Sequence, residues 1–156
     1  MIEVVVDERA WRAAEPRAAA LARSAAAAAL TAEGRGRARL VILLADDRRL
    51  AALNAQFRGR AGPTNVLSFA AGRPGAIHLG DVALAFGVCA REAGEQGKSL
   101  ADHLQHLVAH GVLHLLGYDH ESEAEADIME AKERAILAGL GVPDPYAERG
   151  AQGDHG

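Results

Sequence analysis

Leu40-Val41-Ile42-Leu43-Leu44-Ala45 is an unbroken aliphatic run that stops at Asp46. A strand with one wet face alternates apolar and polar residues. An unbroken run is what a strand covered on both faces requires. The fold is therefore a sheet with helices against it. Upstream, Ile2 to Val6 is short and β-branched, a second strand. Between the two, Pro16 suits a first helical turn, and Arg17 to Leu30 continues it with strong helix formers until Gly34 and Gly36 break it. Strand, helix and strand in that order predict a right-handed parallel crossover.

Downstream, Asp46 caps a helix running to about Phe57, and Arg58 to Pro63 is a loop broken by Gly59, Gly62 and Pro63. Val66 to Phe69 reads as a short strand and Ala76 to Ala85 as another, interrupted at Gly80. The turn from Gly72 to Gly75 is short enough to pair them antiparallel. Three helices follow, over about Ala85 to Glu95, Ser99 to Leu116 and Glu121 to Leu140. Ser99 is an N-cap with Asp102 imitating a capping box, and the acids from Glu121 to Asp127 suit a helix start. The fold class is α+β: a small mixed, mostly parallel four-stranded sheet packed with helices. One domain is expected over residues 1–145, with a polar, disordered tail over 146–156 that includes His155.

Nearly half of the 156 residues are apolar, but only 4% are aromatic, so packing must rest on aliphatic side chains. The single Cys89 excludes an internal disulfide framework and fits a reducing, cytoplasmic setting. Its apolar neighbours make it a buried small hydrophobe. No basic segment precedes the short apolar start, and no apolar stretch nears the ~20 residues needed to cross a membrane. The net charge of −4 argues weakly against a nucleic-acid partner, but it is unevenly spread. Residues 1–75 carry 12 Arg and 7 acids, a balance of +5, and residues 76–156 carry −9. Arginine favours phosphate because its planar fork binds two oxygens at once, although heavy arginine use also follows genome composition.

Chemistry concentrates in His110-Gly-Val-Leu-His114-Leu-Leu-Gly-Tyr-Asp-His120. On a helix His110 and His114 project from one face. Gly117 can take the left-handed conformation that ends the helix, so the chain turns back and His120 reaches the same point. Three neutral imidazoles suit a tetrahedral zinc whose fourth position stays open for water. The spacing matches the long zincin peptidase signature except that Gly111 stands where those enzymes have a general-base Glu. That makes an ordinary peptidase a poor fit. His103 and His106 lie on the same stripe but ahead of the turn, and read as structural.

Four blocks in order carry a resemblance to a known family: Leu53-Asn54 with Phe57-Arg58, Pro63 to Phe69, Leu79-Gly80-Asp81, and His106 to His120, followed by Glu125-Ala126 and Met129-Glu130. They resemble the YbeY-type family of bacterial rRNA maturation endoribonucleases. The likeness departs at Asn65, where the commonest family form has Asp, so no acid/base role is assigned there.

The resemblance implies one zinc per chain on His110, His114 and His120, cleavage of single-stranded RNA, and work with 16S rRNA, its 3′ end, the small ribosomal subunit and its associated factors, including ribosome quality control. It puts Arg58 beside the metal, where a guanidinium could stabilise charge developing on phosphorus. Arg58 and His110 are then the catalytic pair, with Arg58, Thr64 and Ser68 as substrate-binding residues. Asp81 could brace the sheet or touch substrate, and Asp119 could orient a ligand histidine. The competing readings are a metal-dependent hydrolase of peptides or small molecules, and a ribosome-associated binding protein whose metal only holds the fold.

Overall fold

In the computed structural model, which describes residues 1–71 and 76–147, the sheet is built from β1 (Ile2–Val6), β2 (Arg39–Ala45), β3 (Val66–Ala70) and β4 (His78–Ala85). Their spatial order is β1-β2-β4-β3. β1 and β4 both run parallel to β2, and β3 pairs antiparallel with β4, as the sequence led us to expect. β2 lies inside the sheet. Leu40, Ile42 and Leu44 face the main core together with Val82 and Leu84 of β4. Leu43 and Ala45 face a smaller core with Leu50, Leu67 and Ala83. Cover on both faces is why the run has no polar member.

Among the described residues six helices surround the sheet: α1 (Ala10–Ala14), α2 (Ala18–Ala32), α3 (Asp47–Arg58), α4 (Phe86–Glu95), α5 (Leu100–Leu115) and α6 (Glu123–Gly139). The sequence reading missed α1, which is too short to show a period, and it began α2 one residue early. α1 exists to bury Trp11, whose Nε1 donates to the Ala45 carbonyl at 2.9 Å and whose ring meets Phe86 edge-on. On α2, Ala18, Ala22, Ala25, Ala26 and Ala29 are fully buried, and methyl-sized side chains let α5 approach closely.

The helix starts obey local rules. Asp46 accepts from Arg49 N, Ser99 from Asp102 N, and Ser122 forms a full capping box with Glu125. α4 has no cap of its own; Asp47 reaches over from α3 and accepts from Val88 N at 3.0 Å. Gly80 has φ +142, and a Cβ there would fall on the Phe69 carbonyl, so the irregularity in β4 admits only glycine. The expected turn over 72–75 lies outside the described residues. Of the expected tail, Tyr146 packs edge-on against His106, and residues 148–156, His155 included, lie outside the described residues.

Candidate metal centre

α5 carries His103, His106, His110 and His114 along one stripe and ends at Leu115. Gly117 then takes φ +106, and the Tyr118 amide folds back onto the Leu113 carbonyl at 3.0 Å. This turn returns His120 to the helix. Its ring lies 5.7 Å from that of His110 and 5.1 Å from that of His114. One ring nitrogen from each of the three falls within 4.8 Å of the others. His110 and His114 are half-buried and His120 is exposed, so the cluster opens to solvent. The turn is fastened from outside: the Tyr118 hydroxyl donates to Glu33, which also binds Lys132 Nζ at 3.1 Å. Asp119 accepts from the backbone N–H of His120 rather than from a ring.

The residues fit a metal. His110 Nε2 and His114 Nε2 are 3.1 Å apart. Two imidazole nitrogens on one tetrahedral zinc stand about 3.4 Å apart, given zinc–nitrogen bonds of roughly 2.0–2.1 Å. His114 is held below the ordinary histidine range, first by burial and then by the neighbouring His110 and His120. A neutral ring is the form that binds a cation.

A fully buried carboxylate stands behind the cluster. Glu133 Oε2 meets His110 Nδ1 at 3.0 Å, and Glu133 Oε1 meets His106 Nε2 at 2.7 Å and the Tyr146 hydroxyl at 2.7 Å. Burial works most strongly against its charge. Hydrogen bonds from His106, His110 and Tyr146 outweigh burial and hold the carboxyl down at about 2. A carboxylate accepts, so the contact suits a proton on His110 Nδ1, with Nε2 turned toward His114. Sequence reasoning missed Glu133. Its signal was an acid on the stripe of α6 that buries Met129, Ile136 and Leu137. His106 belongs to this network, and His103 donates to Glu92 Oε1 at 2.9 Å. Neither joins the cluster of three. Burial lowers the His103 imidazole below the ordinary histidine range.

Gly111 faces the sheet. A Cβ there would come 2.7 Å from Val82 Cγ1 and 3.1 Å from Ser68 Oγ. Packing therefore closes the position where a zincin peptidase carries its glutamate. Ser68 Oγ donates to the Gly111 carbonyl at 2.9 Å, and Arg58 Nη2 donates to the Ser68 carbonyl at 3.1 Å. Ser68 thus touches the residue that follows His110, and Arg58 is tied to Ser68. Thr64, at the approach to β3, is half-buried, and no hydrogen bond among the described residues links its side chain to the cluster. Asn65 Nδ2 donates at 3.0 Å to Glu92 Oε1, the oxygen that also meets His103. Asp81 is exposed on β4 opposite Phe69. Cys89 is buried, and burial pushes its thiol far up, as expected for an inert small hydrophobe. A cleft of about 750 Å³ is lined by His103, His106, Lys98 and Tyr146 but by none of the three clustered histidines.

Comparison with known proteins agrees with this geometry. Residues 5–141 match the model of the family described as Endoribonuclease YbeY. The chain is 52% identical to the Endoribonuclease YbeY of Paramagnetospirillum magneticum, over 95% of this chain and 98% of the relative. It is 49% identical to that of Rhodopseudomonas palustris (strain HaA2), over 94% of this chain and 82% of the relative. A Thermotoga maritima protein solved in solution has the same fold, with a TM-score of 0.63 at 24% identity, covering 97% of this chain and 93% of that one. Histidine cluster, fold and sequence likeness converge: the chain belongs to the YbeY endoribonuclease family.

Proposed function

We infer that this protein is a zinc-dependent endoribonuclease that cuts single-stranded RNA. We assign its substrate as 16S rRNA near the 3′ end, met on the small ribosomal subunit in the cytoplasm. Family membership supports the endoribonuclease activity and the part in rRNA processing. The observation that carries the site is the convergence of three imidazole nitrogens within 4.8 Å at a solvent-open point. No helix among the described residues is long and apolar enough to cross a membrane.

His110, His114 and His120 would hold one zinc, and His110 takes part in the chemistry through it. The ion would act as a Lewis acid on a phosphoryl oxygen and make water acidic enough to ionise near neutral pH. Arg58 is exposed, and one of its donors is engaged at Ser68. The remaining N–H groups would take the non-bridging oxygens of a phosphate lying against β3. Ser68 already spends its proton on Gly111, so it serves first to tie β3 to α5. Thr64 has its hydroxyl available to phosphate at the approach to the same strand. The peptidase alternative needs a carboxylate at position 111, where Val82 and Ser68 leave no room.

The test is zinc content and cleavage of single- and double-stranded RNA by purified wild type and His114→Ala. Wild type should carry one zinc and cut the single strand; His114→Ala should lose both. Full zinc occupancy in that variant would remove His114 from the centre. Hydrolysis of peptides but not RNA by the wild type would overturn the assignment.

A further inference from the structure

Glu133 is fully buried on the apolar face of α6, where a carboxyl group is costly unless hydrogen-bond partners converge on it. Its two oxygens have separate partners. Among the described residues Oε2 faces His110 Nδ1, and Oε1 takes the donors of His106 and Tyr146. These three partners come from α5 and from the segment after α6, so the carboxylate is held on both sides and cannot rotate freely.

We propose that Glu133 is the positioning residue of the metal centre: it fixes His110 as the Nδ1–H tautomer and aims the Nε2 lone pair at His114 and His120, while His106 and Tyr146 lock Glu133 itself. The proposal rests on the reading that the three histidines hold a metal. A carboxylate behind a ligand histidine sets the ring's orientation and raises its basicity. The pairing explains why His106 shares the stripe without joining the cluster. Its Nε2 already points at Glu133, 2.7 Å away.

A purely structural ion cluster would affect folding and leave metal affinity alone, so the two are separable. Zinc and cobalt affinities of wild type and Glu133→Gln would be measured by competition with a chromophoric chelator, and the unfolding of both metal-free proteins recorded beside them. Glutamine keeps the shape but turns one accepting oxygen into an NH2 donor and leaves one neutral acceptor. The expected result is about a 10- to 100-fold weaker affinity in Glu133→Gln, with Tyr146→Phe weakened less and in the same direction. Equal affinities, with any loss confined to metal-free stability, would overturn the positioning role. Wild type that binds neither metal would defeat the metal reading itself. Should Glu133→Gln not fold, the wild type decides the question. Long-range proton–nitrogen NMR of the metal-free protein at pH 8 should find the His110 proton on Nδ1. A proton on Nε2 would overturn the proposal.

Discussion

Arg58 is moored to Ser68 through a 3.1 Å hydrogen bond from its Nη2 to the Ser68 carbonyl. The same serine's hydroxyl donates to Gly111, the neighbour of His110. The end of α3 is thereby linked through β3 to the helix that carries the histidines. A planar guanidinium can keep this bond and still offer further N–H groups in a set geometry, which a flexible ammonium lacks.

Arg58→Lys should therefore keep its zinc and its fold and lose most of its cleavage rate. A ~100-fold loss corresponds to about 2.7 kcal/mol of transition-state stabilisation. Single-turnover cleavage of a short RNA, with zinc content measured on the same samples, is the check. Wild-type rates in the variant would take Arg58 out of the site.

Gly111→Ala should destabilise the protein. Its new methyl meets Val82 Cγ1 at 2.7 Å and Ser68 Oγ at 3.1 Å. Both neighbours sit in paired strands that cannot yield freely, so the cost should be about 1–3 kcal/mol, typical of overpacking. Urea unfolding of the two proteins measures it. An unshifted midpoint would mean that β4 and α5 are looser here than the geometry requires.

Glu33 should contribute to the acid limb of stability. Burial pushes its carboxyl up, but the Tyr118 hydroxyl and Lys132 together hold it below the ordinary value. For a carboxylate lowered in the folded state, the unfolded chain takes up the proton first as pH falls. The stabilisation is thus complete above the ordinary value of 4.5 and drains away as pH drops through the lower folded value. Unfolding free energies from pH 7 to pH 3 should fall more steeply for wild type than for Glu33→Gln. Parallel curves would show that the Tyr118 turn is held by other contacts.

Much was legible in the sequence because it is local. The aliphatic run of β2, the caps at Asp46 and Ser99, and the glycine after α5 each act within a few residues. The three clustered histidines also lie within eleven residues of chain, so helix period and one turn suffice to bring them together. Periodicity states which face of an element is buried and is silent about what meets it.

The rest was decided by tertiary structure, across long stretches of chain. Trp11 finds the Ala45 carbonyl 34 residues away, and Asp47 caps α4 from 41 residues before Val88. Ser68 meets Gly111 over 43 residues. Glu133 gains its role from His110 and His106, 23 and 27 residues upstream. A buried carboxylate survives only where donors converge on it from separate elements. That convergence is set by how α5 and α6 pack, a property of the folded chain that no window of its sequence contains.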